Sequence, residues 1–410
     1  MTVEAAHDFE RLYRQIRKLE VHTPQGKSGL LAKESRYVFN YEEVADTAAV
    51  SLTMPVRHQS YASGDLMGVF AMNRPEGYLR YVIEERLARY GTPSDMFLLF
   101  LARRNQIGRL TYSFPGESIP ESEGEQLEEL LSSPSGHLFK RLVDRYALGS
   151  GISGVQPKTV VPIANDAEAS PDERVAIPLK TVIVKAEGDD FPGVARNEFF
   201  CMSVAKEAGL DVPGFWLSDD GKLFVMARFD RLDDGSPVGF EDMSVLTGKG
   251  KYEGSYEMVA KAVDIYTRSD HLQKHRLFER IALSCLLRDG DAHMKNLGIV
   301  YDDPTGERRL APVFDVVCTD IYPDLDGKMA LNLNKSKTFP MHDALVAFGS
   351  RLGLHADDSE ATMTRLREAY ETVAGRFEED QRYQADDLLR NIRDAIEREG
   401  VRPVSRPRRR

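Results

Sequence analysis

An apolar helix that runs into a short polar loop constrains this chain more than any other stretch. Leu277, Ile281 and Cys285, with Phe278, Ala282 and Leu286, recur at helical spacing and make one apolar face. That face leads straight into Arg288-Asp289-Gly290-Asp291-Ala292-His293-Met294-Lys295-Asn296, so the helix positions the loop. An Asp-Gly-Asp loop taken alone reads as a solvated turn. Asp291 and Asn296, however, have the spacing that phosphoryl transfer uses: a carboxylate accepts the proton of an acceptor hydroxyl, and an amide oxygen further round the same loop ligates a divalent cation. Such a site needs a second metal-binding carboxylate. Asp315 supplies it, at the end of the apolar run Ala311-Pro312-Val313-Phe314, which reads as a buried strand. Leu297 to Tyr301 and Arg309 to Asp315 then read as a hairpin that brings Asn296 and Asp315 to one metal site.

Upstream residues supply the other parts of a phosphate site. A short helix over Leu138 to Leu148 leads to Gly149-Ser150-Gly151-Ile152-Ser153-Gly154-Val155-Gln156-Pro157-Lys158, followed by a β-run from Thr159 to Pro162. Glycines beside strands let backbone N–H groups approach phosphates, although a Gly/Ser stretch is by itself no more than a turn. The polar stretch Asn165 to Glu173 reads as an exposed insertion. The strand Lys180 to Lys185 ends in a lysine that can reach phosphate oxygens, where the plain alternative is a solvated strand end. Glu198, in the first turn of a helix over Asn197 to Ala208 closed by Gly209, is placed to pair with and orient Lys185. Phe199, Phe200, Met202, Val204 and Ala205 on that helix read as core. Lys222 to Arg228 is a further strand, and Phe229-Asp230-Arg231 leaves it where a hinge would bind adenine through its backbone.

The N-terminal part reads as a small α/β unit. Residues 8 to 20 have helical spacing ended by Thr23-Pro24-Gln25-Gly26; Gly29 to Leu31 and Arg36 to Tyr41 pair as a hairpin; Ala48 to Met54 is a strand before Pro55. Tyr78 to Tyr90 is helical, and Ser94 opens another helix over Met96 to Leu101. This gives a subdomain over 1–115, a Glu/Ser/Pro-rich linker over 116–136, an N-lobe over 137–231, a helical C-lobe over 232–400 with packing helices at 342–354, 358–377 and 380–399, and a basic, proline-broken tail over 401–410. With 42% hydrophobic residues the chain can form real cores, and its formal charge of -11 argues against broad direct binding to nucleic acid. No apolar run reads as a membrane span or secretory signal, so a cytoplasmic location is expected. Cys201, Cys285 and Cys318 lie in apolar stretches without metal-ligand spacing and read as small core residues.

Taken together, these motifs resemble the HipA family, serine/threonine-kinase toxins of bacterial toxin–antitoxin systems. Ser153 to Lys158 resembles the family's glycine-rich loop, Asn197-Glu198-Phe199-Phe200-Cys201-Met202 its first helix, Arg228-Phe229-Asp230-Arg231 its hinge and Gly290 to Asn296 its catalytic loop. Ser51-Leu52-Thr53-Met54-Pro55 and Asn73-Arg74-Pro75-Glu76-Gly77 are similar to its N-terminal subdomain. The resemblance implies an α+β, two-lobed, protein-kinase-like fold related to the lipid kinases, with an N-terminal α/β subdomain and an all-helical C-terminal layer. It implies ATP and Mg2+ as cofactors, Asp291 as catalytic base, Asn296 and Asp315 as magnesium ligands, and Lys185, oriented by Glu198, as the phosphate lysine. Ser153, Gly154, Val155, Gln156, Pro157, Lys158, Ala227, Arg228, Phe229, His293, Met294, Lys295 and Phe314 would surround ATP. A small DNA-binding, HipB-like antitoxin is the implied partner, with DNA reached only through it, and a translation protein such as an aminoacyl-tRNA synthetase the implied substrate.

Two positions depart from the family pattern. Ala227 stands where a glutamate is common, leaving adenine to the backbone. Gly151 stands where the regulatory serine lies, so autophosphorylation would fall on Ser153 or Ser150. Two other readings compete: a small-molecule phosphotransferase with the same Asp-to-Asn loop, and a non-catalytic co-repressor beside a DNA-binding antitoxin. The Gln156-Pro157-Lys158 loop separates the first from a HipA-like kinase, and the intact set of Lys185, Asp291, Asn296 and Asp315 speaks against the second.

Overall fold

Lys18–Thr23 (β1) alternates inward and outward side chains, with Leu19 and Val21 fully buried, and this period of two prevails over the helical spacing read across residues 8–20. The end of the helix expected there is therefore a strand from Lys18 onward, and its residues 8–15 lie outside the described residues. Thr23 to Gly26 is a hairpin turn rather than a helix end, with Gly26 at φ 114° leading into Gly26–Lys33 (β2). In the computed structural model, residues 16–103, 105–114, 125–146, 150–151, 156–163 and 180–398 are described. The expected insertion at 165–173, the tail at 401–410, and Ser153, Gly154 and Val155 of the glycine-rich loop lie outside them.

Tyr37–Tyr41 (β3) pairs antiparallel with β2, as expected. With Tyr61–Ser63 (β4), Asn105–Gln106 (β5) and Thr111–Ser113 (β6) following, the N-terminal sheet has the order β4-β3-β2-β1-β6. The helices Gly77–Leu87 and Asp95–Ala102 occur where the sequence places them, the second capped by the Ser94 hydroxyl accepting from the Phe97 amide. Ala48 to Met54 does not form the expected strand. Asp46–Ala48 is a 3-10 turn, the Val50 amide donates to the Tyr41 hydroxyl, and the Leu52 amide and Ser51 hydroxyl both donate to the Glu241 carboxylate. Side chains satisfy this backbone, so it needs no neighbouring strand.

Ser150–Gly151 (β7) pairs in parallel with β5. Lys158–Ile163 (β8), Lys180–Ala186 (β9), Phe215–Leu217 (β10) and Leu223–Ala227 (β11) make a four-stranded sheet of order β10-β11-β9-β8. Gly239–Asp242 (β12) and the tip of a hairpin made by Gly298–Tyr301 (β13) and Arg308–Leu310 (β14) complete a compact unit of residues 1–188, 215–248 and 300–308. One hydrophobic cluster runs through this unit, from Leu19, Phe39, Phe70 and Phe97 to Leu142, Val160, Val184 and Val225.

The second unit, residues 189–214, 249–299 and 309–410, is mainly helical. Val194–Glu207 and Ala356–Glu378 pack through Phe199 against Phe377 and Phe200 against Tyr370 and Phe377. The outer helices are His342–Arg351, Ala356–Glu378, Gln381–Gln384 and Leu388–Glu397, so the last expected helix is broken at 385–387. His271–Leu286, capped by Asp270 on the Leu272 amide, buries Leu277, Phe278, Ile281, Ala282 and Cys285 as its periodicity requires. All three cysteines are free and buried, and burial pushes each thiol up. No described helix is long and apolar enough to cross a membrane.

Candidate active site

The helix His271–Leu286 ends at Arg288, whose backbone turns left-handed at φ 56° and whose guanidinium donates to Asp320 at 2.7 Å. The chain can then reverse through Gly290, whose amide donates to the Thr319 hydroxyl at 2.7 Å. A Cβ at Gly290 would collide with the Lys328 carbonyl and lie 2.7 Å from that hydroxyl, so this position requires glycine by close approach. Beneath the loop, Asp289 is almost wholly buried. Its oxygens meet the Arg280 guanidinium at 3.5 Å, the Ser284 hydroxyl at 3.3 Å and the Asp291 amide at 3.2 Å. Arg280 also donates to the Phe314 carbonyl at 3.4 Å, so one buried arginine ties the Asp291 loop to the segment that carries Asp315.

Asn296 makes the same connection nearer the surface. Its Nδ2 donates to the Asp291 carbonyl at 2.9 Å and to the Asp315 carbonyl at 3.5 Å. The amide nitrogen is thereby committed, and Oδ1 is the atom left to face a cation. Asp315 does not end a strand as expected. Regular pairing stops at Leu310, because Pro312 has no amide to donate, the Val313 amide goes to the Asp211 carbonyl at 2.7 Å, and Asp315 has φ 57°. Aspartate tolerates that left-handed backbone better than most residues, and such positions concentrate at functional sites. Among the described residues no group of three or more His, Cys, Asp or Glu side chains is arranged to hold a metal ion. One carboxylate and one amide oxygen instead suit magnesium, which keeps waters and phosphate oxygens as its other ligands.

Asp291 is half exposed, with its Oδ2 3.8 Å from His293 Nε2 and its Oδ1 accepting from the Tyr252 hydroxyl at 2.9 Å. His293 is buried, and its Nδ1 accepts from the Lys295 amide at 3.2 Å, capping the short turn Met294–Asn296. Met294 has no exposed surface and is a core residue, with its amide donating to the Lys251 carbonyl at 3.1 Å. Lys295 and Phe314 are half-buried. Glu198 is fully buried, but Val194–Glu207 begins three residues earlier than expected, so Glu198 lies beyond its first turn.

In the first unit, Lys158 and Lys185 face each other across the β8–β9 ladder and so share one face of the sheet. Both are buried, and the Lys185 ammonium lies 5.7 Å from the centre of the Phe224 ring. Gln156 donates from Nε2 to the Ala186 carbonyl at 3.3 Å and the Pro157 carbonyl accepts from the Ala186 amide at 2.8 Å, fixing the end of the loop to the Lys185 strand. Ser150 lies in β7. At the hinge, Ala227 pairs with Val182, and the Arg228 amide donates to the Thr181 carbonyl at 3.3 Å. The buried Arg228 guanidinium holds Asp230 at 2.6 Å, and Phe229 packs edge-on against Phe240.

The sequence reading missed Arg280, Asp289 and Tyr252. A charged Arg280 beside an apolar helical face was the available signal for the first two; Tyr252, 39 residues from its partner, had none.

Residues 150–378 match the HipA-like C-terminal domain and residues 19–113 the HipA N-terminal domain. The chain belongs to the HipA family. Its relatives include a Sinorhizobium fredii protein described as "Putative kinase Y4dM", 26% identical over 72% of this chain and 74% of the relative. A Haemophilus influenzae protein described as "Putative kinase" is 28% identical over 50% of this chain and 68% of the relative. Among solved structures, a Shewanella oneidensis toxin–antitoxin complex of HipA, HipB and operator DNA matches with a TM-score of 0.68 at 18% identity, over 93% of this chain and 97% of that one. This chain thus has the α+β fold of the Shewanella HipA, as expected from its motifs.

Proposed function

We propose that this HipA-family chain is an ATP- and magnesium-dependent serine/threonine protein kinase and the toxin of a toxin–antitoxin pair. What supports the reading most is the Asn296 amide, which bridges the carbonyls of Asp291 and Asp315 and so draws a base loop and a metal carboxylate together. Asp291 takes the proton of the acceptor hydroxyl. Asn296 Oδ1 and the Asp315 carboxylate hold magnesium, which when bound neutralises phosphate charge. Lys158 and Lys185 bind phosphate oxygens, Glu198 orients Lys185, and residues 153–158 cover the phosphates. The adenine lies against Ala227 to Phe229, with His293, Lys295 and Phe314 completing the nucleotide surroundings, while Met294 supports them from the core. The partner is a small HipB-like antitoxin through which the chain reaches operator DNA, in line with the Shewanella complex. The substrate is a serine or threonine of a translation protein, such as an aminoacyl-tRNA synthetase, and Ser153 or Ser150 takes phosphate in self-control.

The test is phosphate transfer from labelled ATP to proteins of a bacterial lysate. Asp291→Asn lowers transfer by about 10²- to 10⁴-fold while ATP binding persists, because the base is not needed to hold nucleotide. Asp315→Ala weakens magnesium-dependent ATP binding itself. Expression in a bacterial host arrests growth and Asp291→Gln relieves the arrest. Near-normal transfer by Asp291→Asn would overturn the assignment, and equal toxicity of the Asp291→Gln form would favour a binding role.

A further inference from the structure

Gly248-Lys249-Gly250-Lys251-Tyr252-Glu253-Gly254 joins the helices Met243–Thr247 and Tyr256–Tyr266. From Lys249 onward it belongs to the same unit as the Asp291 loop. Two hydrogen bonds fasten the two stretches: the Met294 amide to the Lys251 carbonyl at 3.1 Å, and the Tyr256 hydroxyl to the Ala292 carbonyl at 2.8 Å. Between these fixed points Tyr252 lays its ring edge-on to His293, with centroids 5.3 Å apart, and donates its hydroxyl to Asp291 Oδ1 at 2.9 Å.

Burial does not compel that contact. Tyr252 is 50% exposed, so water could satisfy its hydroxyl, and the Asp291 side chain is also half exposed. A 2.9 Å hydrogen bond from a hydroxyl to the base is the approach a phosphoryl acceptor makes before its proton is taken. We propose that Tyr252 occupies the acceptor-hydroxyl subsite: its phenol stands in for the serine or threonine of the substrate, and the acceptor must displace it. The inference rests on Asp291 being the base, as proposed above. Displacement needs only rotation of the Tyr252 side chain, since the Lys251 carbonyl tether holds the loop in place and half-exposed side chains change rotamer quickly. The occupant also keeps water, the smallest acceptor, from Asp291 Oδ1 while nucleotide is bound.

Hydrolysis of magnesium-ATP by the full chain, without protein acceptor, reads this directly. Tyr252→Phe keeps the ring and removes the competing hydroxyl, and is expected to raise hydrolysis about three- to tenfold, the range one net hydrogen bond supports. Tyr252→Ala, which also removes the ring, is expected to raise it at least as much. Adding Asp291→Asn to either variant abolishes the gain. If Tyr252 instead orients the base, both variants hydrolyse ATP more slowly than the unaltered chain, and a rate equal to or below that of the unaltered chain overturns the proposal. Failure of the kinase reading looks different: Asp291→Asn alone then leaves hydrolysis unchanged.

Discussion

Burial pushes the Asp289 carboxyl up to about 7; the Arg280 guanidinium pulls it back, while Asp291 and Asp315 raise it further. A carboxyl raised in the folded state favours its protonated form there. Its contribution to stability is therefore present below about pH 4, the ordinary carboxylate range, and is lost as pH rises through about 7. Asp289→Asn keeps the shape and removes the titration. Denaturant midpoints of the unaltered chain should fall relative to this variant between pH 5 and pH 8, and parallel profiles would refute the assignment. Gly290→Ala belongs beside it: the added methyl meets the Lys328 carbonyl, and about 1–3 kcal/mol of stability should be lost as the loop shifts. That Asp291, Asn296 and Asp315 come together was legible in the sequence, the first two from their spacing in one loop and the third from its place a few residues beyond a hairpin. Asp289 reads as a solvated turn residue from its own neighbours, and the one signal against that reading, a charged Arg280 beside an apolar helical face, lies nine residues upstream.

The hinge strand shows how an element can be legible while its side chains are not. The strand over Lys222 to Arg228 is present as Leu223–Ala227, but Arg228 faces inward. Burial pushes Asp230 up, yet Arg228 and Arg231 outweigh it and hold the carboxyl at about 2, helped by the Gly108 amide at 2.7 Å. Asp230→Ala leaves Arg228 buried without its counter-charge and should cost about 3–5 kcal/mol in chemical denaturation; a loss below about 1 kcal/mol would show that water compensates the guanidinium. Alternating strands and amphipathic helices were readable because burial imposes their period. Ala48 to Met54 was misread because its backbone is satisfied by Tyr41 and the distant Glu241, partners that no local pattern encodes. The run Ala311 to Phe314 was misread for a similar reason: Asp211 and Arg280 take groups that a sheet neighbour would otherwise hold.

At the scale of the molecule, residues 19–113 and the β8, β9 and β11 strands are far apart in sequence but share one hydrophobic cluster. Leu19, Phe39, Phe70 and Phe97 on one side, and Val160, Val184 and Val225 on the other, have no exposed surface. Polar links run the same way. Ser51 and Leu52 bond Glu241, Tyr301 donates to the same carboxylate at 2.5 Å, and Gly108 bonds Asp230. Burial raises Glu241 above the ordinary carboxylate range despite these donors, so losing any of them leaves an acid with too few partners inside the core. A chain that starts at residue 125 would uncover this face. Each exposed valine forfeits about 1.5–3 kcal/mol. A few such losses exceed the roughly 5–15 kcal/mol that holds a domain folded. The amides of β8, β9 and β11 are therefore expected to exchange with solvent deuterium far faster in the 125–410 fragment than in the full chain, and adding residues 16–114 as a separate fragment should restore protection. Strands equally protected without the N-terminal residues would show that the four-stranded sheet carries a core of its own.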